Sequence, residues 1–314
     1  MKIPQFEDIV RAHERINPFI HHTPVLTSQS INSITGGDLY FKCENLQKAG
    51  AFKFRGACNA VFSLSDQEAA KGVCTHSSGN HGAALALAAR MRGVPAYIVM
   101  PETAPEIKKK AVSGYGAQIT FCKPTLEARE STLAEIASRT GAMEIHPYAN
   151  FQVICGQGTA VKELIEDFGP FDIILCPVGG GGLLSGTSIS AKALNPNALI
   201  IAAEPEGADD AFRSFHAKKL IPSVNPKTIA DGLLTSVGEL NFRIIRQKTD
   251  EIVTVTEHGI IRAMRMVWER MKIIIEPSSA VPLAAIIESK VDVRNKKTGI
   301  VLSGGNVDLE KLPF

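Results

Sequence analysis

A lysine set between two benzyl side chains is the first residue here that could do chemistry. The stretch "AFKFRGA", residues 51–57, puts Lys53 between Phe52 and Phe54, with Gly56 and Ala57 close behind. If a helix begins near Phe52, Lys53 shares a stripe with Ala57, Ala60 and Leu64. An amine on a small, apolar stripe is partly desolvated, which lowers its pKa and frees its neutral form. Such an amine forms Schiff bases. The competing fate is an amine that snorkels to solvent.

Further candidates follow strand-like segments. "PVGGGGLLSG", 177–186, comes after "FDIILC" and opens a helix, and its four glycines let backbone N–H groups converge where a helix N-terminus favours an anion. A phosphate is the natural ligand. The run is not a Walker A loop and fails G-x-G-x-x-G in every register. Even so, Glu204, at the end of the next strand, is spaced to hold a ribose, so a dinucleotide site stays open. "HSSGNHG", 76–82, gathers Ser77, Ser78, Asn80 and His81 in one turn, suited to a carboxylate or a ring hydroxyl, or to capping a helix. A hydroxyl such as Ser78, aimed at a reacting carbon, can move a proton. In "VLSGGNVD", 301–308, Ser303 leaves a strand facing the same edge. Arg129 is expected to interrupt an apolar stripe of Leu126, Leu133 and Ile136, where it meets a carboxylate, a phosphate or a structural ion-pair partner. In "AAEPEGADD", 202–210, Glu204, Asp209 and Asp210 suit a hard cation or a helix N-terminus.

These residues must be held by a scaffold that the composition permits. Of 314 residues, 45% are hydrophobic and 21% charged, which allows a full globular core. A net charge of +2 gives no reason to expect nucleic acid or an anionic membrane surface. No stretch suggests a signal peptide or a membrane span. The six cysteines form no C-x-x-C pair, so a reduced, cytoplasmic, soluble protein is expected. Apolar strands with little alternation, separated by helices, indicate an α/β chain with open, mostly parallel twisted sheets covered on both faces. The predicted division is a small domain, 72–150, and a larger domain built from 1–71 and 151–314. Ligands in such folds bind beyond the C-terminal strand ends, often between domains.

With these segments in place, the chain resembles the fold-type II pyridoxal-phosphate enzymes of the tryptophan synthase β family. It is most similar to the serine racemases and short serine/threonine dehydratases. The resemblance runs over nearly the whole chain and is carried by "AFKFRGA", "HSSGNHG", "PVGGGGLLSG", "AAEPEGADD", "TIADGL", "VWERMKIIIEPSSA" and "VLSGGNVD".

The resemblance implies pyridoxal 5′-phosphate in the interdomain cleft, joined to Lys53, which also acts as a base on one face of the substrate α-carbon. It implies ring and ring-hydroxyl contacts from Phe52 and Asn80, phosphate contacts from Gly179, Gly180, Gly181 and Gly182, and a Ser303 hydrogen bond to the pyridine nitrogen. Ser77, Ser78, Asn80, His81 and Arg129 become substrate contacts, with Ser78 the acid/base of the opposite face. A Mg²⁺, Mn²⁺ or Ca²⁺ site matches Glu204, the Ala208 carbonyl and Asp210. An ATP effector site matches Lys48, Lys108, Tyr115 and Asn306, but Ala83 stands where such relatives often carry glutamine, which weighs against nucleotide activation. The expected activity is racemisation of serine, and elimination of water from serine or threonine to give a 2-oxo acid and ammonia. A homodimer is expected. The alternatives are a threo-3-hydroxyaspartate dehydratase of the same family, a nicotinamide dehydrogenase using the Gly179 turn and Glu204, and a binding module that has lost catalysis.

Overall fold

Strand Ile173–Pro177 is buried along its whole length, the mark of a strand covered on both faces. It lies inside one of two sheets in the computed structural model, which describes every residue except Met1, Ser78 and Pro105. In chain order the strands are β1 (Val25–Leu26), β2 (Asp38–Cys43), β3 (Val73–His76), β4 (Ala96–Pro101), β5 (Gln118–Cys122), β6 (Met143–Glu144), β7 (Ile173–Pro177), β8 (Leu199–Pro205), β9 (Glu251–Val255) and β10 (Lys297–Leu302). The larger sheet has the order β1-β2-β10-β7-β8-β9 and the smaller β5-β4-β3-β6. All pairings are parallel except β1 with β2. This is the expected fold class.

Alternation along the larger sheet's strands feeds two cores. Leu175, Ala203 and Leu302 join the helices Glu257–Met271 and Pro277–Ile287 on one face. Ile174, Cys176, Ala202 and Val301 face the other, with Leu183 and Leu184 of helix Gly182–Leu194. Val73, Ile98 and Met100 of the smaller sheet pack with the alanine-rich helix Asn80–Arg92. All six cysteines are buried and unpaired. Among the described residues no helix is long and apolar enough to cross a membrane.

Because β7, β8 and β10 run parallel, the turns after Pro177, Pro205 and Leu302 emerge at one sheet edge. The smaller sheet adds the turn after His76 and the start of helix Asn80–Arg92.

Candidate active site

Lys53 is the first residue of helix Lys53–Phe62. Its Nζ donates to the carbonyl of Pro147 at 2.9 Å and stands 5.1 Å from the Phe52 ring centroid. Burial pulls the amine down to about 8, against the opposing pull of the Glu276 carboxylate. Ala57 and Ala60 are buried behind it, as the stripe requires.

The segment before Lys53 is stitched to the turn after β10. Phe52 donates its backbone N–H to the Ser303 carbonyl at 3.0 Å, Gly305 donates to Gly50 at 2.9 Å, and Ala51 bridges Gly304. The Ser303 hydroxyl is buried and lies 3.1 Å from the Ser279 hydroxyl, which also accepts from the Gly304 N–H at 2.6 Å. Helix Pro277–Ile287 thereby fixes the strand-end serine.

Asn80 donates its side-chain amide to both oxygens of Glu276, at 2.9 and 3.1 Å, and accepts from Asn306 at 3.0 Å. Glu276 is buried, and that burial, helped by Asp231, raises its carboxyl to about 7. Sequence reasoning gave Glu276 no role. Its one signal was an acid set before a proline at the head of an apolar helix, where no side-chain cap bond forms.

Ser77 accepts from the Gly79 N–H at 3.3 Å. The backbone N–H groups of Asn80 and His81 open helix Asn80–Arg92 and meet no acceptor among the described residues. The His81 ring is committed elsewhere: its Nε2 donates to the Ile145 carbonyl at 3.0 Å, and burial together with Lys53 lowers it to about 3. The ring is neutral, and what His81 leaves without a partner at the helix start is its backbone N–H. Ser78 lies outside the described residues.

The glycine turn after β7 is buried from Gly179 to Gly182. Gly181 has φ +85°, and a Cβ on Gly180 would overlap the Tyr148 ring. No acceptor among the described residues takes the N–H groups of Gly179 to Gly182, which gather at the start of helix Gly182–Leu194. Buried, unpartnered donors at a helix N-terminus beside an amine held near 8 fit a phosphate and an aldehyde on one ligand.

Arg129 does not interrupt a stripe. Leu126 is 56% exposed, and only Leu133 and Ile136 of that helix are buried. Arg129 is half-exposed and bonds the Thr125 carbonyl of its own helix at 3.3 Å. Its charge depresses the neighbouring His76, which burial already lowers. The rings of His76 and His146 stand 6.4 Å apart, and those of His146 and Tyr148 4.5 Å apart. Burial, with His76 next, lowers His146 to about 4, while the carboxylates of Glu144 and Glu130 act on His76 against Arg129.

Glu204 and Asp210 are fully buried. Glu204 accepts from the N–H groups of Ala211 and Phe212 at 3.2 and 2.9 Å, and burial lifts it to about 9. Burial lifts Asp210 to about 6; one of its oxygens accepts from Val237 at 2.9 Å and the other has no partner. An orphaned carboxylate oxygen beside a second buried acid suits a cation. Glu204 is fully buried and has no exposed edge for a group as large as a ribose, which leaves the nicotinamide reading without its acidic residue. Asp209 instead pairs with Arg213 at 2.8 Å.

Of the nucleotide-site residues, Lys108, Tyr115, Asn306 and Ala83 line a cavity of about 520 Å³, but Lys48 does not. Lys108 pairs with Asp231 across that cavity.

The family described as "Pyridoxal-phosphate dependent enzyme" matches residues 16–304. The chain is 56% identical to a serine racemase of Dictyostelium discoideum over 98% of its own length and 96% of the relative's. It is 49% identical to a beta-hydroxyaspartate dehydratase of Paracoccus denitrificans over the whole of both chains. The crystal structure of the Dictyostelium discoideum serine racemase superposes with a TM-score of 0.92, covering 97% of this chain and 99% of that one.

Proposed function

The chain belongs to the pyridoxal-phosphate dependent enzymes, and from that premise we propose that it is a serine racemase that also acts as an L-serine and L-threonine ammonia-lyase. The observation that carries this reading is the depressed amine of Lys53, tied through Phe52 to Ser303. When bound, pyridoxal 5′-phosphate supplies the electron sink that acidifies the substrate α-carbon. The N–H groups of Gly179 to Gly182 hold its phosphate, Asn80 its ring hydroxyl, Phe52 its ring, and Ser303 its pyridine nitrogen. Ser77 and the N–H groups of Asn80 and His81 hold the substrate carboxylate. Lys53 removes the α-proton from one face. Ser78, on the evidence of its place in the "HSSGNHG" motif, returns a proton to the other for racemisation. Loss of the β-hydroxyl as water commits the substrate to a 2-oxo acid and ammonia.

A neutral hydroxyl at Ser303, unlike a carboxylate, would hold no proton on the ring nitrogen, so the electron sink is weaker, the α-carbanion persists less, and loss of the β-hydroxyl competes well with reprotonation. Glu204, the Ala208 carbonyl and Asp210 hold a divalent cation, Mg²⁺, Mn²⁺ or Ca²⁺. Segment 72–150 works as a small domain against 1–71 and 151–314, in a cytoplasmic homodimer. Ala83 speaks against activation by ATP.

A second reading takes threo-3-hydroxyaspartate as substrate, with Arg129 on its β-carboxylate. It is favoured by Arg129 being half-exposed, hydrogen-bonded to the Thr125 carbonyl, and near enough to His76 to lower it. The deciding experiment has two steps. Borohydride reduction of the holoenzyme followed by peptide mapping should leave the cofactor on Lys53; no cofactor there overturns the reading. Assays of serine, threonine and 3-hydroxyaspartate, with chiral analysis of the remaining amino acid, then separate the two substrates.

A further inference from the structure

Two residues beyond Lys53, Arg55 is fully buried and makes two forked ion pairs. Its Nε and Nη2 donate to Glu44 at 2.7 and 2.8 Å, and its Nη1 and Nη2 donate to Glu163 at 2.6 and 2.7 Å. Nη1 also reaches the Thr159 hydroxyl at 3.2 Å. Lys42, equally buried, donates to Glu163 at 2.6 Å and to the Thr23 carbonyl at 2.8 Å. Two cations and two anions balance inside the protein. His13 and His22 approach Glu163 to 3.8 Å from outside.

Burying such a tetrad is a poor route to stability, because well-packed apolar side chains of the same volume do as well or better. What a forked guanidinium between two carboxylates supplies is fixed direction. That direction bears on Lys53. Positions two apart on a helix face nearly opposite ways, so the clamp grips the first turn on the side away from the amine. The helix cannot slide inward either: a Cβ on Gly156 would lie 2.5 Å from the Arg55 carbonyl. Glu163 and Thr159 lie on helix Phe151–Phe168, whose N-cap, Asn150, follows shortly after the Pro147 carbonyl that receives the Lys53 amine. The helix that carries Glu163 and the turn leading into it thus meet Arg55 and the Lys53 amine.

We propose that Arg55 is a positioning residue: its clamp on Glu44 and Glu163 sets where the Lys53 amine stands in the cleft. This rests on the reading of Lys53 as the cofactor-bearing base.

The test compares Arg55→Lys, which keeps the charge and loses the fork, with Thr159→Val, which keeps the packing and removes one acceptor. Ile260→Ala, in the core on the far face of the larger sheet, is a destabilised control. In cofactor-free protein, the pH dependence of acylation at Lys53, read by peptide mapping, should move in both Arg55→Lys and Thr159→Val and stay put in Ile260→Ala. In holoenzyme, Arg55→Lys should lower kcat for serine by roughly 10- to 100-fold with KM little changed. If Arg55→Lys does not fold, Thr159→Val decides through the acylation profile alone. Wild-type titration of Lys53 in every variant that folds, or an equal shift in Ile260→Ala, overturns the proposal. Failure to trap cofactor on wild-type Lys53 overturns the functional reading instead, and the acylation profile still reports on Arg55.

Discussion

Phe52 donates its backbone N–H to the carbonyl of Ser303 at 3.0 Å, so the residue before the reactive lysine and the serine at the end of β10 share one hydrogen bond. The proposed base and the proposed partner of the cofactor ring nitrogen are thus not independent. A shift of either turn carries the other with it, and the Ser279 hydroxyl, which accepts from the Gly304 N–H at 2.6 Å, restrains both.

The glycine turn has a neighbour that fixes its size. Gly180→Ala should force its methyl into the Tyr148 ring. Overpacking of this kind costs about 1–3 kcal/mol. The variant should lose stability and bind pyridoxal 5′-phosphate less tightly, and adding Tyr148→Ala should restore part of both. Cofactor titration by visible absorbance, alongside thermal unfolding, checks it. A double variant no better than Gly180→Ala would count against the contact.

Glu276 should make folding stability depend on pH. Its carboxyl is raised to about 7 in the folded chain, so the fold keeps a proton that the unfolded chain has already lost. Stability from this group is full below the ordinary carboxylate range and is lost as pH rises to about 7, on the order of 3 kcal/mol in all. In Glu276→Gln that slope should disappear. Urea unfolding of cofactor-free protein at several pH values between 4.5 and 8 measures it. Parallel curves for the two proteins would mean that Glu276 is not the source.

Cation removal should act through Asp210, which has a carboxylate oxygen with no partner. Chelation should lower the melting temperature and Mg²⁺ should restore it. A cation at 100 times its Kd adds about 2.7 kcal/mol. Asp210→Ala should melt at the same temperature with or without Mg²⁺, and a retained response would move the site elsewhere.

Ser78→Ala tests the two-base assignment. Racemisation should fall by roughly 10²-fold or more, while elimination from L-serine, which needs the Lys53 face, continues. Chiral analysis of serine beside a 2-oxo acid assay reads both, and equal loss of the two activities would sink the assignment.

The amino-acid sequence by itself determined the family and the scaffold, and it nominated the residues for the chemistry. Four glycines after an apolar strand, a lysine on a small-residue stripe and a serine leaving a strand each carry their meaning within a few residues, because turn geometry and side-chain periodicity are local. They were legible for that reason, and so was the parallel α/β architecture. Tertiary structure alone decided what each reactive group faces. Asn80 and Glu276, 196 positions apart, meet only once both sheets are packed. The Pro147 carbonyl reaches Lys53 across 94 positions, and Glu163 reaches Arg55 across 108. The apolar stripe drawn through Arg129 failed for the converse reason: helical spacing says which residues share a face, but only the neighbouring elements decide which face is buried, and Leu126 lies in solvent. Burial sets pKa, and burial belongs to the assembled chain, so the amine held near 8 and the carboxyl held near 7 exist only in the folded protein.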